Sequence, residues 1–275
     1  MIKDIMVRLE GNANDEPRLA AVEHLSEFYE SRAIGLFFNI LPALMPAPES
    51  GVSAAEAVEL LRRARELADK TEASLVARVK VLRRPVEIRR FDVAEDVVAD
   101  IATRQARTAD TFVALRPDGG HEPEDMIESV LFGSGRHLFL VPNRRPENIR
   151  LGHVMVAWNA SREATRALAE AMPYLHKAEV VTVVVVVDEP IAEEQAVDRE
   201  GVIEHLKHHG IEAQFRKVRA KNADTGATLI AECRRQKADL MVMGGYGHSR
   251  LREWLLGGAT YELLHKAPVP LLMAH

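Results

Sequence analysis

The sequence is short of the residues on which several classes of protein depend. It has one cysteine, Cys233, so no internal disulfide and no cysteine-based metal cluster can form, and a reducing compartment is indicated. The first ten residues carry four charges and lack the apolar region of a signal peptide. The longest apolar run, Val180–Val187, is far shorter than the ~20 residues that span a bilayer. These absences predict a cytoplasmic protein that does not enter a membrane.

An excess of positive charge is also lacking. The chain has 36 Lys and Arg against 41 Asp and Glu, which gives a formal net charge of -5. Such a chain has no long-range attraction to nucleic acid or to an anionic membrane, and neither is predicted as a partner. No serine, histidine and aspartate occur at a recognisable catalytic spacing. We therefore predict no catalytic residues and, at most, a slow hydrolytic activity.

The sequence does contain a regular alternation of strand and helix patterns, with five strands in each half. The strand patterns of the first half are Ile5–Leu9, Ala33–Phe38, Val86–Arg90, Thr111–Leu115 and His137–Val141. Those of the second half are His153–Trp158, Val180–Val187, Ala213–Val218, Leu240–Met243 and Val269–Met273. Alternation of this kind is typical of a doubly wound parallel sheet. The predicted fold class is α/β, with two tandem Rossmann-like domains that each hold a five-stranded, mostly parallel sheet.

The two domains are predicted to meet in a polar segment with two prolines, residues 142–148. This places the first domain at residues 1–146 and the second at residues 147–275. Two copies of one fold favour an intramolecular pseudo-dimer, and a further homodimer stays open. The last strand of each half, His137–Val141 and Val269–Met273, is the candidate for the edge pairing that joins them.

A glycine-rich loop follows the fourth strand pattern of the second half. It begins with Gly244, Gly245 and Gly247 and ends with Gly257 and Gly258, where a helix pattern starts. Glycines allow positive φ and a close approach of backbone N–H groups to a ligand. A helix beginning at this point would direct its unpaired N–H groups and the positive end of its dipole to the same place. The pattern therefore predicts an anion site, most plausibly for phosphate.

The spacing of these glycines resembles the ATP-binding motif of the universal stress protein family. That motif has a glycine, two residues, a second glycine, nine residues, and a third glycine followed by serine or threonine; Gly244, Gly247 and Gly257 have this spacing. The first strand of the second half and the ending Ala267–Met273 are also similar to this family. The resemblance covers the second half and, more faintly, the first.

The resemblance implies a set of nucleotide-binding residues. Ala157 and Asn159 would border the adenine and the ribose, and Val186 would offer backbone contacts to the base. The remaining implied residues would hold the phosphates: Gly244, Gly247, Gly257, Gly258, Ala259 and Thr260. The implied ligand is ATP, with AMP and ADP as alternatives, and Mg²⁺ could accompany it. A valine at Gly244 or Gly247 is expected to abolish binding while leaving the fold intact.

Two positions depart from the family pattern. Asn159 stands where an acidic residue is usual, so a hydrogen bond to ribose is retained but the negative charge is lost. Gly258 stands where serine or threonine is usual, so one hydroxyl contact is lost while the backbone donor remains. These changes predict weaker binding or a different preferred nucleotide.

The first half is predicted not to bind nucleotide. Thirteen residues separate Gly119 from Gly133, whereas the motif has nine between its last two glycines. Gly133 is interpreted as part of the turn after a helix. Acidic residues, including Glu124 and Asp125, would put negative charge where a phosphate must lie. The first half is therefore expected to act as a structural partner.

Two alternatives to a nucleotide-binding regulatory protein remain at this stage. One is a binding module for another small ligand, and the other is a dimeric scaffold that binds none. His205 and His209 lie one helical turn apart, but no third ligand is close in sequence, so no metal site is predicted. Cys233 is expected to be packed and inert.

Overall fold

The computed structural model describes residues 1–43, 53–117, 123–143, 150–187, 199–220, 222, 224–245 and 258–275. The first half contains β1 (Asp4–Leu9), α1 (Asp15–Tyr29), β2 (Arg32–Ile40), α2 (Ala54–Val79), β3 (Val86–Val93), α3 (Val98–Ala106), β4 (Thr111–Leu115), α4 (Glu124–Gly133) and β5 (Leu138–Val141). The second half contains β6 (His153–Ala157), α5 (Arg162–Leu175), β7 (Val180–Val187), α6 (Arg199–His208), β8 (Ala213–Arg219), α7 (Thr225–Gln236), β9 (Leu240–Gly244), α8 (Gly258–Lys266) and β10 (Leu271–Ala274).

The described strands form one ten-stranded sheet in the order β3-β2-β1-β4-β5-β10-β9-β6-β7-β8. Neighbouring strands within each half are parallel, and their registers agree between the halves. Ile5 faces Ala33 and Thr111, just as Val154 faces Val181 and Leu240. This agreement confirms the predicted fold of two tandem doubly wound halves.

The halves are joined by the antiparallel pairing of β5 with β10, in which Leu140 faces Leu271 and Leu138 faces Met273. The predicted edge pairing is therefore confirmed. Because the pairing is antiparallel, the carboxyl ends of the first-half strands and those of the second-half strands lie at opposite edges of the sheet. The predicted boundary between residues 146 and 147 lies outside the described residues and stays a prediction.

Helices cover both faces of the sheet. One core cluster combines side chains of α1, α2, α5 and α6 with one face, and the other combines α3, α4, α7 and α8 with the opposite face. In β7, Val183 belongs to the first cluster and Val184 to the second, and both are fully buried. Burial on both sides explains why this strand is a nearly continuous run of valines.

Side chains of α5 form a second connection between the halves, which we call the α5 seam. His137, just before β5, contacts Glu170 through Nδ1 (2.9 Å) and the hydroxyl of Tyr174 through Nε2 (3.1 Å). The seam has two further contacts. The Arg166 guanidinium donates to the Gly135 carbonyl, and the ammonium of Lys177, just after α5, donates to the Phe28 carbonyl. The seam therefore ties one helix of the second half to two segments of the first.

Among the described helices, none combines the length and the apolar character that a bilayer crossing requires.

Candidate functional site

The candidate site lies at the carboxyl ends of β6, β7 and β9. β6 has β7 on one side and β9 on the other. After β6 the chain returns to β7, and after β9 it returns to β10 on the opposite side, so this is the switch point at which ligands of doubly wound sheets bind. Ala157 is the last residue of β6, Gly244 is the last of β9, and Val186 precedes the last residue of β7. The structure thus brings these three predicted residues to one edge of the sheet.

Three small apolar side chains form a floor on one face of this edge. Ala157, Val186 and Val218 are each partly buried and pack against the same core cluster. Val186 faces Val218 in the register of β7 and β8, and Ala157 faces Val184, two residues before Val186. Val218 is not among the residues predicted from the sequence, because a single strand pattern does not show which residue lies beside it on the next strand. A flat apolar group such as a base could rest on this floor.

The loop after β6 is held in a strained turn. The Asn159 side-chain oxygen accepts a hydrogen bond from the Ser161 backbone N–H (3.2 Å), and the Ser161 hydroxyl oxygen caps α5 by accepting from Ala164 N–H (3.1 Å). Between them Ala160 has a φ of 56°, in the left-handed region. Asn159 is exposed, and its carboxamide nitrogen is the atom that can donate to a ligand.

Replacing Ala160 by glycine should raise the free energy of unfolding. The left-handed backbone costs an alanine about 1–2 kcal/mol. The greater freedom of glycine in the unfolded chain offsets about 0.4–1 kcal/mol of the gain. We expect chemical denaturation to show a small net stabilisation of Ala160→Gly. The equivalent first-half residue, Gly11 (φ 78°), is the control, because an alanine there is strained and its Cβ would also strike the Thr71 side chain. Gly11→Ala should therefore destabilise; a destabilising Ala160→Gly would contradict the argument.

Gly244 is required by the packing of the protein itself. A Cβ at this position would lie 2.6 Å from the backbone nitrogen of Ala164 and 2.6 Å from the carbonyl carbon of Glu163, both at the start of α5. These are backbone atoms that cannot move without shifting the helix. The expectation that a valine at Gly244 leaves the fold intact is therefore wrong. Its part in ligand binding stays a prediction.

The amino end of α8 is not covered by the part of the chain that the structure describes. Within that part, no atom lies within 4 Å of a Cβ placed on Gly258, and Ala259 and Thr260 are partly buried beside it. The start of α7 lies next to it, since a Cβ on Gly226 would be 3.1 Å from the Cα of Ala259. Two helix amino ends therefore lie together at this edge of the sheet. The Asp224 carboxylate caps α7 by accepting a hydrogen bond from Ala227 N–H (2.9 Å), so α8 is the helix whose amino end favours an anionic ligand.

The middle of the glycine-rich loop lies outside the described residues. Gly247 and Gly257 belong to this segment, so their predicted contacts with phosphate stay predictions.

The equivalent positions of the first half are filled by larger side chains. By register, Phe38 corresponds to Val186 and Phe91 to Val218, and the two phenylalanine rings stack with their centroids 5.4 Å apart. Phe38 is 8% exposed. Arg8 occupies the place of Ala157. A base has no comparable floor in this half.

Charged groups occupy the rest of the first-half position. Glu10, the register equivalent of Asn159, lies beside Arg8 (2.8 Å) and near the fully buried Arg18 (3.7 Å). Asp15, also fully buried, accepts hydrogen bonds from the Glu10 and Gly11 backbone N–H groups and pairs with Arg18.

The helix that corresponds to α8 has an acidic start. Burial raises the pKa of Glu128, and the charges of Glu124 and Asp125 in the first turn of α4 raise it further. Negative potential therefore lies where a phosphate would have to bind. Gly133 is the last residue of α4, whereas the sequence pattern placed it in the turn that follows the helix. These features support the interpretation of the first half as a structural partner.

The described residues support neither a metal site nor a reactive cysteine. Within them, no three histidine, cysteine or acidic side chains lie together as a metal site would need. His205 and His209 stack with ring centroids 4.7 Å apart. Burial raises the pKa of Cys233 to about 12, so its thiolate is disfavoured at neutral pH.

Comparisons with known proteins agree with this fold. The family model described as universal stress protein family matches residues 151–275. A universal stress protein from Archaeoglobus fulgidus DSM 4304 has a TM-score of 0.70 at 17% identity, covering 98% of this chain and 95% of that chain. A putative universal stress protein from Pseudomonas aeruginosa UCBPP-PA14 has a TM-score of 0.59 at 15% identity, covering 99% and 93%. No curated protein matches this chain in sequence.

Proposed function

We propose that this chain is a stress-related regulatory protein whose second half binds ATP or a related adenine nucleotide. The premise is the match of residues 151–275 to the universal stress protein family. The observation that carries the proposal is the contrast between equivalent positions of the two halves. Among the described residues, the second half has small side chains and an uncovered helix start, whereas the first half has stacked phenylalanines, a buried ion-pair network and an acidic helix start.

In this proposal each part of the ligand has a place. The base rests on the floor of Ala157, Val186 and Val218, and a ribose hydroxyl oxygen accepts a hydrogen bond from the Asn159 carboxamide nitrogen. The phosphates lie toward Gly258, Ala259 and Thr260 and the glycine-rich loop. We assign no catalytic residue, and any ATP hydrolysis would be slow. Mg²⁺ would be carried by the phosphates, because Asn159 brings no negative charge.

Two further parts of the proposal concern how the protein assembles and where it is located. The pairing of β5 with β10 provides an intramolecular dimer-like surface, and a homodimer of whole chains is a further proposal. We place the protein in the cytoplasm, where its free, buried Cys233 would remain reduced.

A different small ligand is the second candidate function. It is favoured by the neutral Asn159 and by the missing hydroxyl at Gly258, both of which reduce the polar contacts available to a nucleotide. Purified protein should be denatured by heat and its supernatant examined by mass spectrometry. Adenine nucleotide near one per chain supports the first proposal. Another compound at that ratio supports the second, and no compound together with no thermal shift from ATP and Mg²⁺ leaves a scaffold.

Restoring the missing hydroxyl gives a sharper test. Gly258→Ser places its side chain where no described atom lies within 4 Å of the Cβ, so it should fold as the wild type does and add one hydrogen-bond donor at the phosphates. We expect the affinity for ATP, measured by calorimetry, to rise about fivefold, the worth of one hydrogen bond. Gly258→Ala is the matched control and should bind as the wild type does. Equal affinities of the serine and alanine variants would place the phosphates elsewhere.

A further inference from the structure

Gly245, where the chain leaves β9 and the glycine-rich loop begins, is held from several directions. Its N–H donates to the Ala274 carbonyl (2.9 Å), and its own carbonyl accepts a hydrogen bond from Nδ1 of His275 (3.0 Å). A Cβ at Gly245 would lie 2.8 Å from the sulfur of Met273 and 3.2 Å from Cδ2 of Leu131. Strand β10 and helix α4 of the first half therefore both pack against the start of this loop.

His275 connects these two elements. Its ring meets that of Phe132, in α4, edge to face, with centroids 4.6 Å apart and an interplanar angle of 82°. Because a carbonyl oxygen only accepts hydrogen bonds, Nδ1 must carry the proton in the contact with Gly245. The imidazole is thus oriented by a ring of the first half and donates to the loop of the second.

The equivalent residue of the first half is arranged differently. Arg116 corresponds to Gly245, since its N–H donates to the last residue of β5, Val141, as Gly245 does to Ala274 at the end of β10. The Arg116 side chain is buried, and its guanidinium donates to the Ala267 carbonyl just after α8. A large side chain therefore leads away from β4 across to the second half, whereas the second half has a bare glycine at this point.

We propose that His275 and Phe132 are positioning residues of the nucleotide site, through which the first half fixes the start of the glycine-rich loop. The inference rests on the proposed nucleotide binding. A loop binds anions well when its N–H groups already point at the ligand before binding, because less ordering entropy is then lost. The Gly245 carbonyl is one anchor of that ordering, and among the described residues the His275 side chain holds it through a hydrogen bond. The first half, which lacks a base-binding floor, thereby contributes to the site of the second.

The electrostatic surroundings of His275 agree with this position. Burial raises the pKa of Glu163, but backbone and Ser161 hydrogen bonds, Arg162 and His275 together hold it below its ordinary value. Glu163 belongs to the start of α5 that packs against Gly244. His275 therefore lies within electrostatic reach of the other element that shapes this corner.

Three replacements of His275 separate its two contacts. Asparagine can retain the donor to the Gly245 carbonyl, phenylalanine retains the ring against Phe132, and alanine removes both. The first measurement is amide hydrogen exchange of the peptide containing Gly245 in ligand-free protein, and the second is ATP affinity by calorimetry. For His275→Ala we expect about fivefold faster exchange and about fivefold weaker binding, the worth of one hydrogen bond. His275→Asn should restore most of the wild-type exchange rate and ATP affinity, and His275→Phe should restore neither.

His208, exposed at the end of α6, supplies the control histidine, and His208→Ala should change neither measurement. The inference is overturned if His275→Ala exchanges and binds as the wild type does, or if the asparagine variant loses as much as the alanine variant. Exchange measured without ligand separates the two proposals. Faster exchange in His275→Ala with no ATP binding by the wild type would confirm the anchor of the loop but sink the nucleotide function.

Discussion

Replacing Gly244 by alanine should lower the free energy of unfolding by about 1–3 kcal/mol, the cost of forcing extra volume into a packed region. The added Cβ would lie within 2.6 Å of two backbone atoms of α5. The helix must then shift, and because α5 also carries the seam with the first half, the strain extends to the contact between the halves. Urea denaturation of the purified variant measures the loss, and valine should cost more than alanine.

Gly258→Ala is the matched control for this prediction. It adds the same methyl group to a glycine of the same half, but at a place that no described atom approaches within 4 Å, and should keep the stability within about 0.5 kcal/mol of the wild type. A Gly244→Ala protein as stable as this control would show that α5 does not press against β9. Loss of nucleotide binding by a Gly244 variant therefore cannot be interpreted until its stability is known.

The sequence was sufficient for the fold because the two halves are built from local patterns. The valine run of β7 shows a strand buried on both faces, and the strand limits Val180–Val187 and Thr111–Leu115 were predicted without error. The pairing of the two last strands could also be predicted, although its antiparallel direction could not. Once two equal repeats are recognised, their last strands are the equivalent edges.

The details of the candidate site could not be predicted, because they depend on which atoms face one another across strands and helices. The glycine spacing located Gly244 but could not show that α5 lies against it. The stacked Phe38 and Phe91 lie 53 positions apart in sequence and meet only through the register of β2 and β3, in which they are direct partners. Asp15 and Arg18 would be expected on a solvated helix face from their charge, yet both are fully buried as a pair.

The α5 seam gives the second large effect. His137 is 1% exposed and lies between the Glu170 carboxylate and the Tyr174 phenol. Burial raises the pKa of Tyr174, so the phenol remains protonated and can donate to Nε2 while Nδ1–H donates to Glu170. Both ring nitrogens are thereby satisfied with the imidazole neutral. A buried polar group that loses its partner is costly, whereas removing a whole buried polar set is often nearly neutral.

His137→Leu should therefore lower the free energy of unfolding by about 2–4 kcal/mol, because Glu170 and Tyr174 lose a buried partner. The control is the triple variant His137→Leu, Glu170→Leu and Tyr174→Phe, which removes the polar groups together. It should recover at least half of the loss in urea denaturation. If the triple variant loses the sum of three independent penalties, the three side chains do not act as one network.

The single variant His137→Leu should also change how the free energy of unfolding depends on acid pH. Burial raises the pKa of Glu170, but the hydrogen bond from His137, the interaction with its imidazole, and the charges of Arg166 and Arg136 lower it below its ordinary 4.5. A carboxylate with a lowered pKa stabilises the fold fully above the unfolded value, and this stabilisation is lost as the pH falls through the folded value. The part of the stability difference between wild type and His137→Leu that comes from Glu170 should therefore be fully present above pH 4.5 and shrink below it. A difference that grows in acid would show that Glu170 is not the partner through which His137 joins the two halves.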